Sequence, residues 1–263
     1  MKNCQSKKYK HEKLKLIFIQ ILVILMFLGF WEFGARIGLL DDFLFSKPTS
    51  IMTLLWSYIK TNEIWKHLSI SLIETVLGIF FGTIMGIIIA IILWSSKRLS
   101  QVMDPFLVIL NALPKTALAP IMIIWAGTGV SGIVVVAISI LIIVTIISTY
   151  NYFNTVDPEK IKMMKSFGAS KVQMFTKLIF PSNLVNIINI IKINIGLAWV
   201  GVIVGEFLVS RAGLGYLIMY GGQVFRLDLV MMGVVVLCLF AYLMYAIVNL
   251  IEKYLLKKRG KGI

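Results

Sequence analysis

The chain has 263 residues, 59% of them hydrophobic, and its 26 Lys and Arg against 12 Asp and Glu give a formal net charge of +14. A mean hydropathy of +0.92 excludes an ordinary soluble globular domain, since several runs reach the roughly 20 apolar residues that a helix needs to cross a bilayer. The basic residues stand in short clusters between those runs, which speaks for membrane topology over nucleic-acid binding, and two cysteines, Cys4 and Cys238, make neither a disulfide framework nor a metal site.

Residues 1–15 form a basic tail (Lys2, Lys7, Lys8, Lys10, Lys13, Lys15) ahead of the apolar run 16–33. A signal peptide competes for this stretch. The run is long for a signal's apolar region and no A-x-A-like cleavage site precedes Asp41, so it reads as an uncleaved first span. Residues 42–66 carry Pro48, Trp56, Tyr58 and Trp65 and predict a short interfacial helix anchored by aromatics. In the second span, 67–94, Gly78, Gly82, Gly86 and Ala90 recur every four residues, a small-residue ridge suited to close helix packing. Lys97 and Arg98 mark a cytoplasmic turn. The third span, 102–125, holds Pro105, Pro114 and Pro120 and is expected to be kinked. A tight outer turn at 127–132 leads to the fourth span, 133–150.

Residues 156–182 are a polar island with punctuation of its own. Asp157 is a good N-cap, and Pro158 at the first helical position loses nothing by lacking an N–H. Ile161, Met164 and Phe167 follow at spacings of three and are expected to share a face. Gly168 can adopt positive φ and close the helix. Ser170 caps a second helix with Val172, Phe175, Leu178 and Ile179 as its apolar stripe, and Pro181 is expected to end it. A helix–glycine–helix module of this kind presents apolar side chains to something outside the bilayer.

The fifth span is 184–208, residues 210–226 predict a short re-entrant or surface helix, the sixth span is 229–251, and 253–263 is a second basic tail. The tails, the Lys97–Arg98 turn and the polar island together hold 18 basic residues, against six in the other loops (Arg36, Lys47, Lys60, Lys66, Arg211, Arg226). Positive-inside bias therefore puts both termini in the cytoplasm. Glu74, Lys115, Lys192 and Glu206 lie within or near apolar segments, where charge is costly, so they should face the bundle interior, a partner or water. Lys192 and Glu206 fall near one helix face but about 21 Å apart, too far to pair. Two readings stay open for these charges: Lys192, Asn194, Trp199 and Glu206 line a translocation path, or the charges pair between helices and snorkel to the interfaces.

The island resembles the cytoplasmic coupling loop of ABC-importer permeases, Glu-Ala-Ala, three residues, Gly, nine residues, Ile-x-Leu-Pro. Gly168 and Pro181 hold their places, Leu178 and Phe180 take the apolar positions, and Lys162, Met163 and Met164 replace Glu-Ala-Ala. P-K-T-A-L-A-P with W-A-G-T-G, I-K-I-N-I-G-L-A-W-V-G-V-I-V-G-E and G-L-G-Y-L-I are similar to matching stretches of the nitrate, sulfonate and taurine group of these permeases; Glu74 departs from it, since that group more often has Arg there.

The resemblance implies an all-α membrane protein of about six transmembrane helices with a type I ABC-importer permease fold: basic tails at 1–15 and 253–263 around a single transmembrane domain, 16–252, in the cell membrane. It further implies a homodimeric permease, two ATPase subunits that carry ATP and Mg, an extracytoplasmic solute-binding protein, and alternating access. The coupling loop, 157–181, would dock the ATPase through Asp157, Ile161, Lys162, Met163, Met164, Phe167, Gly168, Ala169, Phe175 and Pro181. Lys192 sits at a position usually basic in the group and Glu206 at one usually acidic. A secondary transporter or channel working without an ATPase is the alternative, and an inverted repeat would favour it. A membrane-embedded enzyme is the third, and it lacks a catalytic cluster. The only histidines, His11 and His67, argue against a haem or His-rich metal site.

No G-x-x-x-x-G-K-[ST] occurs, so nothing cradles a nucleotide's phosphates. The purified chain alone is expected to hydrolyse no ATP; activity that survives removal of every other subunit would contradict the division of labour just described.

Overall fold

In lipid a backbone finds no hydrogen-bond partner but itself, and the long apolar runs of this chain are all helical. The computed structural model describes residues 2–259; Met1 and the end of the basic tail, 260–263, lie outside the described residues. The helices are α1 (Lys2–Arg36), α2 (Asp42–Phe45), α3 (Pro48–Lys60), α4 (Glu63–Ser95), α5 (Lys97–Ala112), α6 (Ala119–Ala126), α7 (Val130–Asn154), α8 (Pro158–Ser166), α9 (Lys171–Met174), α10 (Phe180–Ser182), α11 (Leu184–Val209), α12 (Leu214–Gln223) and α13 (Leu227–Arg259), with a π-helical turn, Phe175–Ile179, between α9 and α10. Among the described residues, Phe18–Arg36, Glu63–Ser95, Val130–Asn154, Leu184–Val209 and Leu227–Lys257 are long and apolar enough to cross a membrane.

The expected third span is not one kinked helix but two, α5 and α6. Pro105 is tolerated inside α5, whereas Leu113, immediately before Pro114, is forced to extended geometry (φ −64, ψ 136) and stops it. Pro120 then stands in the first turn of α6, where its missing N–H costs nothing. Neither basic segment begins as a separate coil: α1 starts at Lys2 and α13 runs to Arg259.

The described residues fall into two compact units: those up to Ile64 with Ile218–Gly233, and Trp65–Leu217 with those from Val234 onward. In the first, Glu32 ties α1 to α3, accepting from Arg36 Nε at 2.8 Å and from Thr49 N and Oγ1 at 3.1 and 3.0 Å. The expected interfacial segment is realised as α2 and α3, with Trp56 exposed beneath the Lys60 ammonium, 5.6 Å from its ring centre.

In the second unit α7 is the helix the others pack around. It buries residues on every side, from Ile133 and Val136 to Phe153. Gly78, Gly82 and Gly86 of α4 face Ala137, Leu141 and Thr145 of α7, one contact per turn. From α11, Gly201 and Gly205 meet the same ridge at Ala137 and Ile133. Helix α6 adds Ala119 and Ile123 against Val136 and Ile140, and α5 adds Leu107 against Ile146 and Leu93.

A Cβ on Gly201 would stand 2.5 Å from the Ala137 Cα, backbone that no rotamer change can move, whereas one on Gly196, a little over a turn earlier, meets nothing within 4 Å. Gly201→Ala is therefore expected to cost about 1–3 kcal/mol through overpacking. Gly196→Ala in the same helix should be neutral or stabilising by up to about 1 kcal/mol. Thermal unfolding of the two variants in detergent checks this, and equal melting temperatures would contradict the close approach of α11 to α7.

Candidate functional site

The polar island folds as a hook on the ends of α4 and α7. Asp157 caps α8 by accepting from Glu159 N at 2.9 Å. Gly168 closes it at φ +72, with its N–H on Lys165 O at 2.9 Å and the Ala169 N–H on Met164 O at 3.1 Å. Ser170 and Gln173 then form a reciprocal capping box, 3.2 and 2.8 Å, that restarts the chain as α9. The aromatic ring of Phe175 is the root of the hook. It stacks at a tilt on Trp94 (5.2 Å), edge-on to Phe153 (5.4 Å) and near Phe180 (5.9 Å), inside a core that buries Met174 and Ile179.

The expected docking face needs correction. Ile161 packs against this core and Met164 is half-buried, while Phe167 is 81% exposed. Three residues turn an α-helix by about 300°, so Ile161 and Phe167 stand about 120° apart, whereas Met163 and Phe167, four apart, point nearly together. The outward apolar set is Met163 (54% exposed), Phe167 and, across Gly168, Val172 (72%). Lys162, Lys165 and Lys171 surround it, all exposed. Phe175 faces inward, and Pro181 stands one residue before the helix ends at Ser182. The π turn before it relaxes the register where the proline has no N–H to give, and the chain stays helical to Ser182.

The intramembrane polar residues are built into helix contacts. Asn194, fully buried, donates from Nδ2 to Thr83 Oγ1 at 2.8 Å and to Thr145 Oγ1 at 2.9 Å, joining α11 to α4 and α7. Lys192 bonds Glu252 Oε2 at 2.5 Å and Asn249 Oδ1 at 3.2 Å on α13, beside the Tyr245 ring. Trp199 is buried in α11, and its Nε1 has no hydrogen-bond partner among the described residues. The Lys192–Glu252 pair joins α11 to α13.

Glu206, 1% exposed, anchors the start of α12. It accepts from Ser71 Oγ at 2.5 Å and from Gly215 N at 2.5 Å; Ser71 Oγ in turn accepts from Leu214 N at 2.8 Å, and His67 Nδ1 from Gly213 N at 3.0 Å. A carboxylate at a helix N-terminus satisfies donors that the helix cannot. Gly213, at φ +131, has no room for a Cβ beside the Glu206 carboxyl. His67 and Ser71 escaped the sequence reading as partners of Glu206, although with Glu74 they stand at i, i+4 and i+7, on one face of α4.

Comparison with known proteins places the chain among transport permeases. Residues 78–261 match a family model described as binding-protein-dependent transport system inner membrane component. A Bacillus subtilis (strain 168) permease protein named for the transport of aliphatic sulfonates is 30% identical over 241 residues, 91% of this chain and 87% of that protein. The formylaminopyrimidine transport permease protein of Halalkalibacterium halodurans is 27% identical over 91% of this chain and 95% of its own length. A chain of a bacterial ABC transporter involved in the import of the acidic polysaccharide alginate superposes with a TM-score of 0.65 at 13% identity, covering 92% of this chain and 96% of that one.

The Ser71 hydroxyl both donates to Glu206 and accepts from Leu214. Ser71→Ala leaves a buried acceptor and a buried donor short of a partner at once and is expected to destabilise by about 1–3 kcal/mol. Ser69→Ala, whose exposed hydroxyl bonds the Lys66 carbonyl, should be within about 0.5 kcal/mol of the parent. Limited proteolysis between α11 and α12, alongside thermal unfolding, separates the two; equal behaviour would contradict the anchoring role.

Proposed function

The chain belongs to the family of inner-membrane components of binding-protein-dependent transport systems, and from that premise we propose that it is the permease of an ATP-driven importer worked through its 157–181 hook. Two copies would form the path, two ATPase subunits carrying ATP and Mg would seat on the hooks, and an external binding protein would deliver a small solute. The observation that carries this reading is the hook itself. It holds Phe167 and Met163 out toward solvent at an exposure no buried-core role explains, and it roots Phe175 on the ends of α4 and α7. A side chain pushed or pulled at Phe167 moves α8, and α8 transmits through the Phe175–Phe153–Trp94 cluster to two helices of the bundle. That is the mechanical link alternating access needs. The sulfonate and formylaminopyrimidine relatives support a small organic solute as cargo.

The replacement of Glu-Ala-Ala by Lys162, Met163 and Met164 bears on the partner. Larger side chains keep the ATPase surface farther away, and the surrounding lysines favour an acidic rim over a basic one.

Gly168→Val tests the reading. A β-branched residue at φ +72 costs about 1–2 kcal/mol or more, enough to re-aim α8 but small against the whole fold. Membrane insertion and permease recovery should be near normal, while recovery of the ATPase, or uptake per ATP hydrolysed in reconstituted vesicles, falls severalfold. Phe167→Ala should act in the same direction, and Lys171→Ala should do little. If both Gly168→Val and Phe167→Ala couple ATP hydrolysis to uptake normally, the hook is only a connector.

A further inference from the structure

Ile70, Glu74, Thr128, Ile133, Ser210 and Arg211 are among the residues lining a cavity of about 550 Å³ bounded by α4, the α6–α7 turn and the α11–α12 turn. The volume suits a small solute. Its walls are apolar except at two places. At one, Glu74 is 99% buried, being 1% exposed, and its Oε2 has no hydrogen-bond partner among the described residues. At the other, Thr128, Ser210 and the exposed guanidinium of Arg211 stand together, and among the described residues no salt bridge joins Arg211 to Glu74.

Donor counting says what is missing. Glu74 lies against Glu206. Glu206 takes the Ser71 hydroxyl, the Gly215 and Tyr216 amides and a hydrogen bond shared with Glu74, so the donors of this layer are spent and, among the described residues, Glu74 Oε2 alone of these carboxyl oxygens is left without one. A carboxyl oxygen left bare in an apolar wall is costly unless something donates to it, and on a pair of adjoining carboxyls a donor that also carries positive charge fits better than a neutral one. An inorganic anion is the worst occupant of that end. We propose that this cavity is a solute site for a small amine, whose ammonium or amino N–H bonds Glu74 while an acceptor or anionic group at its other end meets Arg211, Thr128 and Ser210. The proposal rests on the transport reading above and narrows its cargo to amine-bearing molecules.

The test uses the full chain in nanodiscs, with Cys4→Ser and Cys238→Ser to remove native thiols and Ile70→Cys, one turn from Glu74 on the cavity wall. The probes are aminoethyl and sulfonatoethyl methanethiosulfonate, each rate divided by that reagent's rate with 2-mercaptoethanol. The normalised rate should favour the amine by about tenfold. Glu74→Gln should bring the ratio to about one, and Glu74→Asp should keep most of it. Equal rates, an anion preference, a ratio unchanged by Glu74→Gln, or no modification by either reagent would each overturn the site. Should Glu74→Gln not be recovered, ethylammonium must slow N-ethylmaleimide modification of the Ile70→Cys chain and ethanesulfonate must not; equal protection, or none, is equally fatal. No ATPase or uptake is involved, so failure here leaves the importer reading standing. Failure of ATPase coupling, conversely, leaves the chemistry of the cavity measured.

Discussion

Everything in the Trp65–Leu217 unit depends on how closely two helices approach Ala137. Gly78 of α4 and Gly201 of α11 both meet it, and added methyls would lie 2.9 Å from its Cβ and 2.5 Å from its Cα. Without a hydrophobic drive between helices in lipid, such backbone approach supplies the dispersion contacts that hold them. It also sets where the polar groups land. With α4, α7 and α11 at this spacing, Asn194 bonds both Thr83 and Thr145, and Ser71 reaches Glu206. A larger residue at any of these glycines would strain the packing and pull at the hydrogen bonds beside it.

The same helices carry the aromatic root of the hook at their ends. Trp94 lies at the close of α4 and Phe153 at the close of α7, and Phe175 sits between them. The bundle is thus glycine-sealed in its middle and aromatic-packed at the end where α8 and α9 attach. On the transport proposal the hook acts as a lever, its end seated on the Trp94–Phe153–Phe175 cluster. The transport proposal relies on this arrangement, because a loosely tethered loop would absorb a partner's motion instead of passing it on.

Much of this was legible in the residues and some was not. The Gly78–Gly82–Gly86 ridge is visible as a period of four, and the hook's caps, Asp157, Gly168 and Ser170, are local chemistry that tertiary packing has no reason to override. The partner of the ridge was not legible, because α7 is apolar on every face and no stripe marks the side it turns to α4. Nor can an apolar pattern say whose core it enters. Ile161 and Phe175 turn inward and Met163 and Val172 outward, although all four look alike in a hydropathy scan. The roles of Asn194 and Glu206 were hidden for a related reason. A polar residue in a span signals that it needs partners, and the partners, Thr83, Thr145, Ser71 and the turn at 213–215, lie far away in the chain.

The central claim is that an ATPase grips this permease at Phe167, and a photo-crosslinking residue, p-benzoylphenylalanine, placed there in cells tests it most directly. The account predicts one dominant crosslinked protein carrying a phosphate-binding G-x-x-x-x-G-K-[ST] loop, with the yield changing when ATP hydrolysis is blocked, and no such product from the inward-facing Phe175. Crosslinks to lipid alone, or to no nucleotide-binding protein, would contradict it.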